Sequence, residues 1–179
     1  MTRPTLAAAA LLLLAACARE ARLPASIPAA PGPARTVFAL RQVDVAHGTG
    51  AHAEPRKCFY AHYTGWLRDG TKFDSSRDTA ADGTPRTPFV FPQGFRRVIV
   101  GWDVGFEGMQ VGARRRLFIP YQLAYGEQGR PPVIPPRAEL IFDVELLAVA
   151  DTLPRTDPAA PAPRCAPWAE VAGEGATAP

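Results

Sequence analysis

Much of what common enzyme chemistry needs is missing from this chain. Its 179 residues include only three His and three Cys. His47, His52 and His62 do not fall at metal-ligand spacing, and no Ser, His and Asp stand in an order that suggests a nucleophilic triad. Long basic runs are also lacking. Lys and Arg total 20 against 17 acids, a net charge of +3, but they are scattered except at Arg96-Arg97 and Arg114-Arg115-Arg116. A nucleic-acid surface needs a clustered stripe with aromatic platforms, so no nucleic-acid partner is expected. The apolar run from Leu6 to Ala16 is shorter than the roughly 20 residues a spanning helix requires. No internal repeat is visible.

The two ends are rich in Ala and Pro. Arg3, the run behind it and Leu14-Ala15-Ala16-Cys17 resemble a bacterial lipoprotein signal with its lipobox. Residues 1–17 are therefore expected to be a signal peptide. Cys17 would carry the lipid, placing the protein on the periplasmic face of a bacterial membrane. An ordinary signal peptide with an incidental Cys is the alternative. Residues 18–36 read as a flexible tether and 151–179 as a disordered tail, because neither shows periodicity and half of the 20 Pro lie there. With Cys17 lipidated, Cys58 and Cys165 remain. They can pair in an oxidising compartment, or stay as two free thiols. Cys58 falls on the strand face opposite Tyr63. Residues 151–164 are long enough to fold back over that face, at roughly 3.3–3.6 Å per residue.

Between the ends, 37–150 has the patterning of one globular domain. Strands are predicted over 36–45, 57–67, 88–91, 114–120 and 139–149. In 57–67, Phe59, Ala61, Tyr63 and Leu67 share a face, with Cys58, Tyr60, His62 and Trp66 opposite. In 139–149, Leu140, Phe142, Val144 and Leu146 face away from Asp143 and Glu145. Leu117 and Ile119 pair in the same way. Only 98–112 carries a helical period, through Val98, Trp102, Phe106 and Met109, with Gly112 as a stop. Five antiparallel strands against one short helix is an α+β arrangement.

Four segments in this domain are "HYTGWLRDGTKFDSSRD" (62–78), "VIVGWDVGFEGMQVGARRRLFIP" (98–120), "LAYGEQG" (123–129) and "IPPRAELIFDVELL" (134–147). In order and approximate spacing they resemble the FKBP-type peptidyl-prolyl cis-trans isomerases. The resemblance implies a half-barrel sheet wrapped around the helix, no cofactor and no metal. It also implies Pro-containing polypeptide clients and family-type macrolide inhibitors. The lack of a nucleophile or metal set suits this reaction. An X–Pro bond turns slowly because resonance sets a barrier of roughly 18–20 kcal/mol. A water-poor pocket that favours the twisted, less dipolar amide, with a few fixed donors, is enough to speed it.

The resemblance carries a pocket onto this chain. Trp102 is its floor, and the Tyr125 hydroxyl and the Ile99 N–H are donors to substrate carbonyls. Asp74 is a single buried carboxylate that orients Tyr63. Phe73, Phe89, Val98, Val133, Ile134 and Phe142 complete the lining. Ser75, Ser76 and Arg77 are expected to hold the turn that presents Phe73 and Asp74. Residues 79–87, "TAADGTPRT", are longer than in minimal family members. Arg97 and Arg130 replace other polar residues at the rim, where they either favour acidic substrate flanks or stay solvated. Tyr121 replaces a frequent Pro. The expected function is isomerisation of X–Pro bonds during folding of exported proteins. A membrane-tethered Pro-segment binding module or holdase with little turnover is the alternative.

Overall fold

The structure, a computed structural model, describes residues 24–30, 32, 34–37, 39–153 and 163–174. The signal segment and Cys17 lie outside the described residues. The strands are β1 (Ala34–Val37), β2 (Leu40–Ala46), β3 (Cys58–Leu67), β4 (Lys72–Ser75), β5 (Phe89–Pro92), β6 (Arg114–Ile119) and β7 (Leu140–Ala150). Two helices, α1 (Val100–Gly105) and α2 (Trp168–Val171), complete the regular structure besides short 3₁₀ turns. The sheet runs β1-β2-β6-β7-β3-β4, and every pairing is antiparallel. One edge of β3 is shared, with β4 opposite Thr64–Trp66 and β5 opposite Cys58–Ala61.

Seven strands form where five were predicted. The run read as one strand over 36–45 breaks into the β1–β2 hairpin, because Ala39 adopts φ +64° in the turn. The four-residue β4 is too short for its alternation to stand out.

The predicted faces hold. Phe59, Ala61, Leu117, Ile119, Leu140, Phe142, Val144 and Leu146 are all buried on the inner side, together with Trp102, Phe106 and Met109. Fully burying a side chain of this size contributes about 1.5–3 kcal/mol, so this layer dominates the stability of the domain. The helix is shorter than its sequence period suggests. It ends at Gly105, and a turn through Gly108 at φ +71° replaces the expected stop at Gly112. Gly101 and Gly105 lower helix propensity by about 1 kcal/mol each, but they let α1 lie directly on β6. A Cβ at Gly101 would stand 2.4 Å from Ile119, and one at Gly105 would stand 2.6 Å from Leu117. Buried Arg115 then closes the helix end, donating from Nη1 to the carbonyls of Gly105 and Glu107, each at 2.8 Å, while its Nε bonds Asp44 at 2.6 Å.

On the outer face, residues 24–30 and 163–174 pack where the sequence suggested a tether and a tail. Ile27 joins Val43, Trp66, Phe118 and Ile141 in a second apolar cluster. Ser26 Oγ donates to the Gly70 carbonyl at 3.1 Å, and Arg116 Nη1 donates to the Pro28 carbonyl. Arg116 is buried, and its charge is met by a two-pronged bond to Asp143 at 2.6 and 2.7 Å. At the other end, a disulfide joins Cys58 to Cys165. Tyr60 Oη donates to the Ala166 carbonyl at 2.8 Å, and the Tyr60 ring lies 5.8 Å from that of Trp168. Residues 163–174 are therefore an ordered strap. Composition hid this because one aromatic contact and one covalent link do what a periodic apolar stripe does elsewhere.

Candidate active site: an aromatic pocket over Trp102

Inner-face alternation on β3, β5 and β7 aims aromatic side chains at α1. The buried Trp102 ring is met by Tyr63 at 5.1 Å between centroids, Phe142 at 5.3 Å, Phe91 and Phe106 at 5.6 Å and Phe89 at 5.7 Å. Most of these contacts are edge-on or tilted, the arrangements that ring quadrupoles favour. Phe73 extends the wall, standing edge-on to Phe142 at 5.5 Å. Gly65 makes room for that pair, since a Cβ there would come within 2.6 Å of Phe73 and 2.8 Å of Phe142. Phe89 keeps 39 % of its surface exposed, so it stands at the lip of the pocket. Trp102 Nε1 is buried without a hydrogen-bond partner among the described residues.

One polar group edges this wall. Tyr63 Oη donates to Asp74 Oδ2 at 2.5 Å. Burial, then the bond to Asp74, holds the Tyr63 phenol far above the ordinary tyrosine range, so it remains a donor. Asp74 is not the buried carboxylate expected from the sequence. Its side chain is 44 % exposed and its other oxygen accepts from Arg86 Nη1 at 3.0 Å. The same Arg86 nitrogen donates to the Ser75 carbonyl at 3.1 Å. Arg86 comes from the long 79–87 loop. A bridge between Thr79 and Pro85 closes that loop, and Asp82 accepts from the Thr84 N–H at 3.0 Å within it. An acid at the solvent edge, held between a phenol and a guanidinium, fixes geometry and is poorly placed to shuttle protons.

The hydroxyls that follow Asp74 hold β4 to β3 as expected. Ser76 Oγ accepts from the Tyr63 N–H at 2.8 Å, and Ser75 Oγ donates to the Tyr63 carbonyl at 2.9 Å. Arg77 contributes its N–H to Ser75 Oγ at 3.1 Å, but its guanidinium crosses the outer face to Glu145.

The other expected site residues divide. Val98, Ile99 and Tyr125 pack half-buried against the cluster, and Ile134 is buried within it. Ile99 precedes the first turn of α1, so its N–H has no intrahelical carbonyl to reach. Val133 does not join them. It is 52 % exposed on the loop between Arg130 and Ile134, which is pinched shut by reciprocal backbone bonds of 2.8 and 3.0 Å. Arg130 lies 5.9 Å over the Tyr125 ring. Phe91, Gly65 and Arg86 were missed in the sequence. Phe91 was legible, since it is two residues from Phe89 on one strand. Nothing local marks Arg86 as a partner of Asp74. Among the described residues, no three His, Cys, Asp or Glu side chains cluster to hold a metal.

A sheet against a short helix, with an aromatic floor and the Ile99 N–H at its edge, defines a class of protein that receives a compact apolar ring and its flanking amides. The proline ring is the residue of that shape. The family model for FKBP-type peptidyl-prolyl cis-trans isomerases matches residues 50–147, and the chain belongs to that family. A Neisseria meningitidis FK506-binding protein is 49 % identical over 106 residues, covering 59 % of this chain and 92 % of the relative. The human peptidyl-prolyl cis-trans isomerase FKBP2 is 51 % identical over 90 residues, or 50 % of this chain and 59 % of that one. Among solved structures, FkpA from Escherichia coli aligns with a TM-score of 0.57 at 35 % identity. That match covers 66 % of this chain and 52 % of FkpA. A Pseudomonas syringae peptidyl-prolyl isomerase also gives 0.57, at 31 % identity, over 68 % of this chain and 83 % of its own. The protein is a peptidyl-prolyl cis-trans isomerase.

Proposed function

We propose that the protein accelerates X–Pro rotation in polypeptides that fold after export, while held to the periplasmic face of a bacterial membrane by lipid on Cys17. The observation that carries the catalytic part is Trp102 enclosed by aromatic rings, beside an Ile99 N–H that finds no backbone acceptor among the described residues. In the planar amide the carbonyl and nitrogen share charge. Twisting localises the nitrogen lone pair and weakens the dipole. A pocket walled by Trp102, Tyr63, Phe73, Phe89 and Phe142 excludes the water that stabilises the planar form. The Ile99 N–H and the Tyr125 hydroxyl hold the flanking carbonyls as the bond turns, and the Tyr63–Asp74–Arg86 chain keeps the wall in place. No covalent bond forms and no proton moves. The macrolide FK506, which names the Neisseria relative, is proposed to occupy the same pocket.

Export is supported by the signal-like N-terminus and by the Cys58–Cys165 bond, which suits an oxidising compartment. The catalytic reading is tested with a short X–Pro peptide. Wild-type protein is expected to speed isomerisation over the thermal rate and FK506 to suppress it. Trp102→Leu is expected to lower kcat/KM about tenfold, or about 1.4 kcal/mol. Peptide binding without acceleration would instead identify a holdase. Anchoring is tested by labelling cells with a fatty acid, where Cys17→Ser is expected to abolish incorporation.

A further inference from the structure

We propose that the cleft between β5 and the C-terminal strap is an extension of the client-binding site that takes acidic residues of the bound polypeptide. The cleft measures about 430 Å³ and is lined by Phe89, Val90, Pro92, Arg97, Pro163 and Arg164. That volume lies within the range of ligand clefts. It adjoins the pocket at Phe89, which lines the cleft and whose ring packs on Trp102 at 5.7 Å and Tyr63 at 5.9 Å. Phe89 is exposed, so a client whose proline sits over Trp102 can run across it towards the cleft.

The cleft mixes apolar side chains from β5 with two cations. Six other arginines, Arg68, Arg77, Arg86, Arg115, Arg116 and Arg137, pair with carboxylates. Arg97 and Arg164 are exposed and pair with none among the described residues. Nearby acids are already engaged. Asp151 bonds Lys57 at 2.5 Å, and Asp103 accepts from the Gly94 N–H at 2.9 Å. Arg164 is held in place by its neighbour Cys165 through the disulfide, and its carbonyl accepts from the Leu153 N–H at 2.8 Å. The sequence suggested Arg97 and Arg130 as a cationic rim. In the structure Arg130 lies over Tyr125, and Arg97 shares its cleft with Arg164. Two guanidiniums with no carboxylate partner among the described residues, set beside the apolar side chains of β5, suit carboxylates on an extended chain.

This inference rests on the isomerase assignment, and its test keeps the two apart. The probes are matched Pro-containing peptides with Glu or Gln at each of several positions before and after the proline, assayed at low salt beside a short neutral peptide. Glu at one or more outlying positions is expected to raise kcat/KM about threefold or more over Gln, mainly through KM, as exposed ion pairs do. The gain is expected to vanish in an Arg97→Gln, Arg164→Gln double variant and at high salt, while the neutral peptide turns over at the same rate in both proteins. A Cys58→Ser, Cys165→Ser variant, which frees the strap, is expected to lose the Glu preference and keep the neutral rate. Equal rates for Glu and Gln peptides at every position, or a Glu preference that survives the double Arg variant, would overturn the proposal. Loss of the neutral rate in wild-type protein would count against the catalytic assignment.

Discussion

On the inner face of the sheet, Phe59, Ala61, Tyr63, Phe142, Val144 and Leu146 form an apolar layer against α1. The opposite face of the same strands carries Tyr60, His62, Thr64, Asp143 and Glu145, and the chain's two ends cross it. The inner layer is held by many similar contacts between neighbours. The outer face depends on a few unlike ones: Ile27 in an apolar notch, buried Arg116 paired with the partly exposed Asp143, the disulfide and Tyr60 against Trp168. Catalysis draws on the inner face alone, whereas stability draws on both: the inner layer supplies most of the buried apolar surface and the outer face adds a few specific clamps. The inner face makes the pocket, and the outer face clamps the sheet that presents it.

Releasing the strap is the strongest way to break that division. Replacing Cys58 and Cys165 by Ser removes a link across a sequence separation of 107 residues. The chain-entropy estimate for such a loop is about 4–5 kcal/mol. Urea titration is expected to show a loss of that order, with turnover of a short neutral peptide unchanged below the unfolding transition. A parallel loss of turnover would show that the two faces are coupled. At the other end, Ile27→Ala is expected to cost about 2 kcal/mol, the low end for such truncations because this site lies under a surface segment. The readout is thermal unfolding, again with activity retained. If Ile27→Ala proved neutral, the N-terminal segment would be no part of the clamp.

The smallest expected effect concerns His62. Its Nδ1 pairs with Ser76 Oγ at 2.9 Å, and burial, then the Arg77 charge, lower its pKa, with Glu145 opposing. The folded pKa therefore lies below the unfolded value of about 6.5. As pH falls through that value the unfolded chain takes up the proton first, so the folded state loses stability until the folded pKa is passed. Unfolding free energy measured between pH 7 and 5 is expected to fall less steeply in His62→Gln than in wild type. An identical slope would show that His62 titrates alike in both states.

How much of this was legible follows from what local pattern records. Strands β3 and β7 could be read because period-two alternation runs the length of β3 and from Leu140 to Leu146 in β7, where a bulge ends it. Trp102, Tyr63, Phe73, Phe89 and Phe142 could be read from the motifs around them. The short β4 and the true end of α1 could not. Four residues hold too little pattern, and the glycines that end the helix also let it pack. The expected burial of Asp74 does not hold, since its exposure depends on how the 79–87 loop folds back to bring Arg86 to it. Val133 and Ile134 are adjacent and both apolar, and only the pinched loop separates the buried one from the exposed one.

The sequence by itself determined the antiparallel frame, the inner apolar layer and the aromatic set of the pocket, because each follows from alternation or from a motif within a few residues. The folded arrangement alone brings Arg86 to Asp74, lays residues 24–30 and 163–174 on the outer face, and sets Arg164 in one cleft with Arg97. Each of these joins separate segments through a few side chains or a covalent bond. A contact of that kind leaves no periodic trace, and its partner is chosen by the folded surface rather than by its neighbours in sequence.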